Sequence, residues 1–600
     1  MVLSFSWFAS RGAWLLSALA GFSLTAHAAR ADESHHSRYE LDILATELEK
    51  RGAAVDPKPE GKTISRIEFV RLEVFDERDP MPDFVNVFHV TSRERVIRRE
   101  LLFGKGERWW QSRVDETARN LKGLRQLSLV LIVPLVEEDP TQVRVLVITK
   151  DIWSLRLNSD FQVADKRLNY LFLSPSEENL FGTHARIAGN FVLQRDTYSV
   201  GGYVAHDRVF GSRLSAILSY NQVFNRDTGE REGYYGNFGY GLPLYSVDQR
   251  WAFSTGIVVR DYLSRQYGRN GQVARYDAES TAEAESIPYV YAFEHHVGAT
   301  EVTRSFGHDY KVDLSFGVEA DRKRYRLYHA HNFDPRAVAE FEERELPRSD
   351  TRISPFFQVE SYETRFLKTH ELETLGLSED YRLGHRAIAR MYPASRDVGS
   401  SRDLLGLFAG VAYTAALGDG LAIGVLESEI EVATHHEHDA RASAALRVAS
   451  PRFGFGRLIA DGIVQNRYQN YLNRKYAVGG ADRLRGYPTD DPDLRGDDAI
   501  AGNLEFRSAG LNLLSVECGA AAFYDVGGAA DGFERLTLRQ SAGVGLRFMF
   551  PEFDRIVLRA DWGFPLSPGY STLPGALFFT FSQAFPVPGL SAPDVIADAL

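Results

Sequence analysis

From Ile152 onward the apolar residues of this chain recur at every second position, and the pattern holds for about 430 residues. Leu214, Ala216, Leu218 and Tyr220 oppose Arg213, Ser215, Ser219 and Asn221; Ala542, Val544, Leu546, Phe548 and Phe550 oppose Ser541, Gly543, Gly545 and Arg547. Trp251, Phe253, Ile257 and Val259 share a face, as do Ile556, Leu558, Ala560, Trp562 and Phe564 against Arg559 and Asp561. Period two belongs to strands, and the segments run about ten residues between polar turns or longer loops. A soluble sandwich alternates too, so the period alone does not choose between water and lipid. The length of the array does choose, because it far exceeds a sandwich, and aromatic residues crowd the strand ends as an interfacial girdle requires. The 27 Tyr, 38 Phe and 50 Gly, beside four Met and one Cys, fit strands and tight turns. Eighteen to twenty segments qualify as strands; with some assigned to extramembrane hairpins, the expectation is a mainly β protein built on a transmembrane antiparallel barrel of about 16 strands with a polar lumen.

The start of the chain supplies a route to a membrane. Arg11 precedes an apolar stretch from Ala13 to Leu24, followed by Ala26-His27-Ala28, the order of a cleaved secretory signal over residues 1–28. No later window offers 18 uninterrupted apolar residues, so no spanning helix is expected. Cys518 alone makes no internal disulfide. A formal charge of −12 gives no basic field, which argues against nucleic acid as a partner.

Between signal and strand array lies a different pattern. Residues 29–61 hold one short helix, 37–52, with Tyr39, Ile43, Leu44 and Leu48 on one side. Residues 62–151 read as strand, helix, helix, strand, strand. The first helix is expected to open on the capping box Thr91-x-x-Glu94, and the second to end at Gly123. Leu127, Leu129, Leu131 and Val133 are placed on one face of the next strand, and Val143, Val145 and Val147 on one face of the last.

Several motifs stand in an order that resembles one family. Glu178-Asn179-Leu180-Phe181-Gly182 is similar to the turn after the second barrel strand of the outer-membrane assembly and translocation superfamily, which includes BamA-like, TamA-like and FhaC-like proteins. Leu484-Arg485-Gly486-Tyr487 resembles the tip of its sixth extracellular loop, which in that family folds back into the lumen. Asn503-Leu504-Glu505-Phe506-Arg507, Phe523-Tyr524-Asp525-Val526-Gly527 and Gly543-Val544-Gly545-Leu546-Arg547 follow in family order, ahead of a final strand from Leu577 to Phe585. The resemblance implies a single POTRA domain over 62–151, a barrel over 152–585, and a tail over 586–600 that departs from the family's terminal strand. It also implies a bacterial outer-membrane location, the N-terminal domain in the periplasm, and partners that are membrane lipid and unfolded or secreted polypeptides.

Alternation then assigns roles. With Leu504, Phe506, Tyr524 and Val526 toward lipid, Asn503, Glu505, Arg507, Glu517, Phe523 and Asp525 face the lumen, where Arg485, carried in with Gly486 and Tyr487, meets two or three carboxylates. The barrel is expected to close between a first strand near Ser154 to Gln162, whose lipid face carries only Leu155, Leu157 and Phe161, and a last strand presenting Leu577, Phe579, Phe581 and Phe585. That weak seam would part to admit a client, and the strand Val143 to Ile148 would offer an edge to an extended chain. Neither the acidic run Asp490, Asp491, Asp493, Asp497 and Asp498 nor the pairs His35-His36, His295-His296 and His435-His436 have metal-ligand spacing, and no local hydrolase or phosphate-loop motif is present. The expected function is therefore non-enzymatic and without cofactor: assistance to polypeptide insertion or translocation. The rivals are a passive diffusion or uptake pore, and a dedicated secretion channel plugged by the helix 37–52.

Overall fold

The computed structural model describes residues 38–75, 83–164, 167–268, 272–281, 285–489, 491–513, 516–570, 573–581, 585 and 587–590. The signal segment and residues 586 and 591–600 of the tail lie outside them.

The small domain contains α1 (Arg38–Arg51), β1 (Thr63–Leu72), α2 (Glu94–Glu100), α3 (Gln111–Lys122), β2 (Leu127–Val136) and β3 (Gln142–Asp151). The sheet order is β1-β3-β2, with β1 parallel and β2 antiparallel to β3. Ile97, Trp109, Val114 and Leu121 bury one face against Ile64, Val143, Val145 and Val147. Ile43 of α1 covers the other face with Leu129, Leu131, Val133, Leu146 and Ile148.

Three expectations change here. The strand from Val143 to Ile148 is central, so the sheet's edges are β1 and β2. A bulge between Leu127 and Leu129 turns Leu127 and Val130 toward the helices, away from Leu129, Leu131 and Val133. The capping box does not form: Arg93 is the N-cap, the Thr91 hydroxyl donates to Glu73, and the Ser92 N–H donates to Asp151. Helix α1 lies on the sheet of the small domain, where its apolar side is satisfied, rather than in the barrel as a plug.

Among the described residues twenty antiparallel strands close the barrel, from β4 (Leu155–Ala164) to a closing strand Ala576–Phe581. The expected number of about 16 is too low. The true outlying hairpins are short, such as Arg275–Asp277 with Ser286–Pro288, and every longer alternating segment joins the wall, where its backbone is paired. Leu218, Tyr220, Leu426, Val544, Leu546 and Trp562 point outward and are exposed, while Arg447, Glu505, Asp525, Arg547 and Asp561 point inward and are buried. An apolar belt around a charged interior is stable when lipid covers the outside.

Candidate functional site

The loop after the strand Gly456–Asn470 turns back into the barrel and delivers Arg485 to the inner wall. Its guanidinium makes a two-point contact with Asp525: Nε donates to Oδ2 at 2.9 Å and Nη2 to Oδ1 at 2.9 Å. Nη1 donates to Glu505 Oε2 at 2.6 Å and to Asp561 Oδ2 at 3.1 Å, and the plane lies 3.4 Å from the centre of the Phe523 ring. None of these charged groups is solvent-exposed. The carboxylates are shared with other arginines: Arg507 Nε donates to Glu505 at 2.6 Å, Arg547 Nη1 to Asp561 at 2.5 Å, and Arg559 Nη1 to Asp561 at 3.0 Å. Buried charges of both signs, all hydrogen-bonded, form an arrangement that tolerates the loss of no single member cheaply.

Gly486 and Tyr487 seat the loop. Gly486 has φ +100°, and a Cβ there would stand 3.1 Å from the backbone carbon of Gly563 on the wall. The Tyr487 hydroxyl donates to the Gln540 carbonyl at 2.7 Å, and its ring meets Tyr570 edge-on. The predicted partners Glu505 and Asp525 are thus brought to Arg485, and Arg507 reaches it through Glu505. Glu517 lies elsewhere, near Gly376. Asp561, Arg547 and Arg559 belong to the same cluster. Their inward parity on their strands was the signal for them.

The seam is short. Among the described residues β4 and the closing strand pair at three positions, Val163 with Leu577, Gln162 with Phe578 and Phe161 with Phe579, whereas on its other side the closing strand pairs with Leu558–Pro565 at six, from Ala576 to Phe581. The Phe161 and Phe579 rings stack across it at 4.4 Å. Leu577, Phe579 and Phe581 point outward, and Phe578 inward. Leu155 and Leu157 point outward at 49 % and 63 % exposure, beyond the paired stretch. Phe585 does not belong to the seam. Its backbone is left-handed at φ 53°, its carbonyl accepts from Arg447 Nη2, and it is buried with Ala501 and Ile463 beneath the Arg483 guanidinium. A left-handed backbone is not that of a strand, so period two does not govern Phe585.

The turn after the second barrel strand docks the small domain. Asn179 Nδ2 donates to the Val90 carbonyl at 3.0 Å, and the Arg93 N–H donates to the Gly182 carbonyl at 3.1 Å. Ser92 Oγ lies 2.7 Å from His184 Nε2 and donates to Asp151 Oδ2 at 2.8 Å, and His89 Nε2 stands 3.2 Å from the same oxygen. Burial holds the His184 imidazole down at about 4; Asp151, Glu100 and Asp207 act against that shift, and His206 with it.

No family model and no curated protein matches the chain. Solved structures similar to it include CdiB from Acinetobacter baumannii, at 12 % identity and a TM-score of 0.42 over 90 % of this chain and 80 % of that one. CdiB from Escherichia coli follows at 11 % and 0.45 over 90 % and 83 %. BamA from Haemophilus ducreyi lacking POTRA domains 1–3 matches at 13 % and 0.31 over 91 % and 92 %.

Proposed function

We propose that this chain is an outer-membrane barrel of the BamA-like and FhaC-like superfamily that assists polypeptides into or across that membrane, with the small α+β domain as a periplasmic POTRA-like unit. The observation that carries the reading is the seam: two strands joined at three described positions, inside a wall whose other strands pair at length. An open strand edge in lipid is costly until another strand satisfies it, so such a seam is suited to receive a client strand. The Arg485 cluster ties together the strands that lead up to the closing strand, from Asp498–Ser508 to Leu558–Pro565, and so braces one flank of the seam. The edges β1 and β2 are where an extended client would add to the small domain's sheet.

A passive diffusion pore fits less well, because the loop around Arg485, a hairpin over residues 366–382 and the segment at Phe585 all occupy the lumen. The secretion channel plugged by the helix 37–52 loses its plug to the small domain. The test is to compare the outer-membrane and secreted proteomes of cells with and without the protein. Loss of particular membrane or secreted polypeptides is expected; unchanged proteomes together with a lost solute permeability would establish the pore.

A further inference from the structure

Between the strands Asp350–Glu363 and Gly384–Ala394 the chain forms a hairpin, Phe366–His370 paired with Ser378–Arg382. Its tip enters the barrel and buries leucines against two separate sectors of wall. Leu372 packs with Leu421, Ile423 and Ile459, and Leu375 and Leu377 pack with Met549 and Val557. The tip is a preformed unit, because the Glu379 carboxylate accepts from the backbone N–H groups of Leu372, Glu373 and Thr374 and from the Thr374 hydroxyl.

Lumen arginines grip this tip from the wall. Arg507 Nη1 donates to the Leu372 carbonyl at 2.6 Å, Arg457 Nη2 to the His370 carbonyl at 2.7 Å, and Arg447 Nη1 to Glu373 Oε1 at 2.8 Å. The base of the hairpin belongs to the small domain. Lys368 Nζ meets Asp115 at 3.2 Å, Lys122 Nζ donates to Ser378 Oγ at 2.6 Å, Ser378 Oγ donates to Glu40 at 2.9 Å, and the Arg119 guanidinium covers the Phe366 ring at 4.1 Å. Two cavities flank the tip. One, of 510 Å3, lies against α3, and the other, of 480 Å3, lies under the seam beside Arg156, Asp160 and Phe581; Lys122, Thr374 and Arg555 border both.

We propose that the hairpin is a gate of the lumen, worked by the small domain. Seated, it separates the two cavities; drawn out by a shift of α1 and α3, it joins them into one passage that ends beneath the seam. The tip is held by a few hydrogen bonds and three leucines, while the base moves with the domain, so one rigid displacement releases all the tip contacts together. That a bound client supplies the pull rests on the function proposed above; the gate itself is tested without any client.

The experiment is single-channel recording of the full-length protein in planar lipid bilayers, with heat-modifiable gel mobility as the check of a closed barrel. One variant replaces residues 368–380 with Asn-Gly, and a second, Leu375→Asp, places a charge in the tip's apolar seat. The shortened hairpin is expected to raise conductance steadily by about fivefold or more, and Leu375→Asp to add openings that the intact protein lacks. Folded variants that conduct like the intact protein would overturn the gate. Variants that both fail to close a barrel would also overturn it, since the hairpin would then be a strut of the fold.

Discussion

Arg485 and Asp525 are joined at both ends of the carboxylate, by Nε to Oδ2 and Nη2 to Oδ1, each at 2.9 Å, with neither side chain reached by solvent. Removing the arginine leaves Asp525, Glu505 and Asp561 facing one another without it. Arg485→Ala is therefore expected to cost about 3–5 kcal/mol in unfolding experiments, against about 1 kcal/mol or less for Arg483→Ala, whose guanidinium lies over the Phe585 ring. Cycles with Asp525→Asn and Glu505→Gln should show coupling of about 0.5–3 kcal/mol for at least one partner. Additive losses for both would mean that the cluster is not one unit.

The loop's seat depends on two facing glycines. A Cβ on Gly486 meets the Gly563 backbone in a left-handed conformation, and a Cβ on Gly563 would stand 2.6 Å from the Gly486 nitrogen. Gly486→Ala should cost about 1–3 kcal/mol and expose Arg483 and Arg495 to trypsin in the folded barrel. Unchanged cleavage would show that the seat yields without release.

The barrel, its inward and outward faces, and the Arg485–Glu505–Asp525 contact were legible in the sequence because period two is a local property that reports which side each residue takes. Strand number was not, since a ten-residue alternating segment looks the same in the wall and in a hairpin outside it. The hairpin tip at Leu372, Leu375 and Leu377 carried no periodic signal and reads as a loop. Phe585 was misplaced because alternation was extended to it from the closing strand, whereas its own backbone is left-handed and its side chain is buried with Ala501 and Ile463. The order β1-β3-β2 was likewise hidden, because sheet neighbours are set by a crossover that residue pattern does not express.

Docking of the small domain should weaken in acid. Docked His184 is held neutral by burial, with a value of about 4, whereas an undocked imidazole takes up its proton near 6.5. The undocked form therefore binds more protons between those values, and docking is fully stable above about pH 6.5 and loses up to about 3 kcal/mol as pH falls toward 4. Amide exchange at residues 179–184 should accelerate from pH 7 to pH 5 after correction for intrinsic rates, and His184→Asn should remove that dependence. Equal protection at both values would place the proton elsewhere.

The seam can be closed by a single covalent bond. Phe161 and Phe579 stand directly opposite each other on β4 and the closing strand, in one of the three described pairs. Replacing both with cysteine in a Cys518→Ser background allows a disulfide across the seam, and the oxidised and reduced forms can be compared in an assay of client insertion or secretion identified from the proteomes. The account predicts that the oxidised protein, still a heat-modifiable closed barrel, is inactive and that reduction restores it. An oxidised, fully crosslinked protein with undiminished activity would contradict lateral opening and assign the work to passage through the lumen.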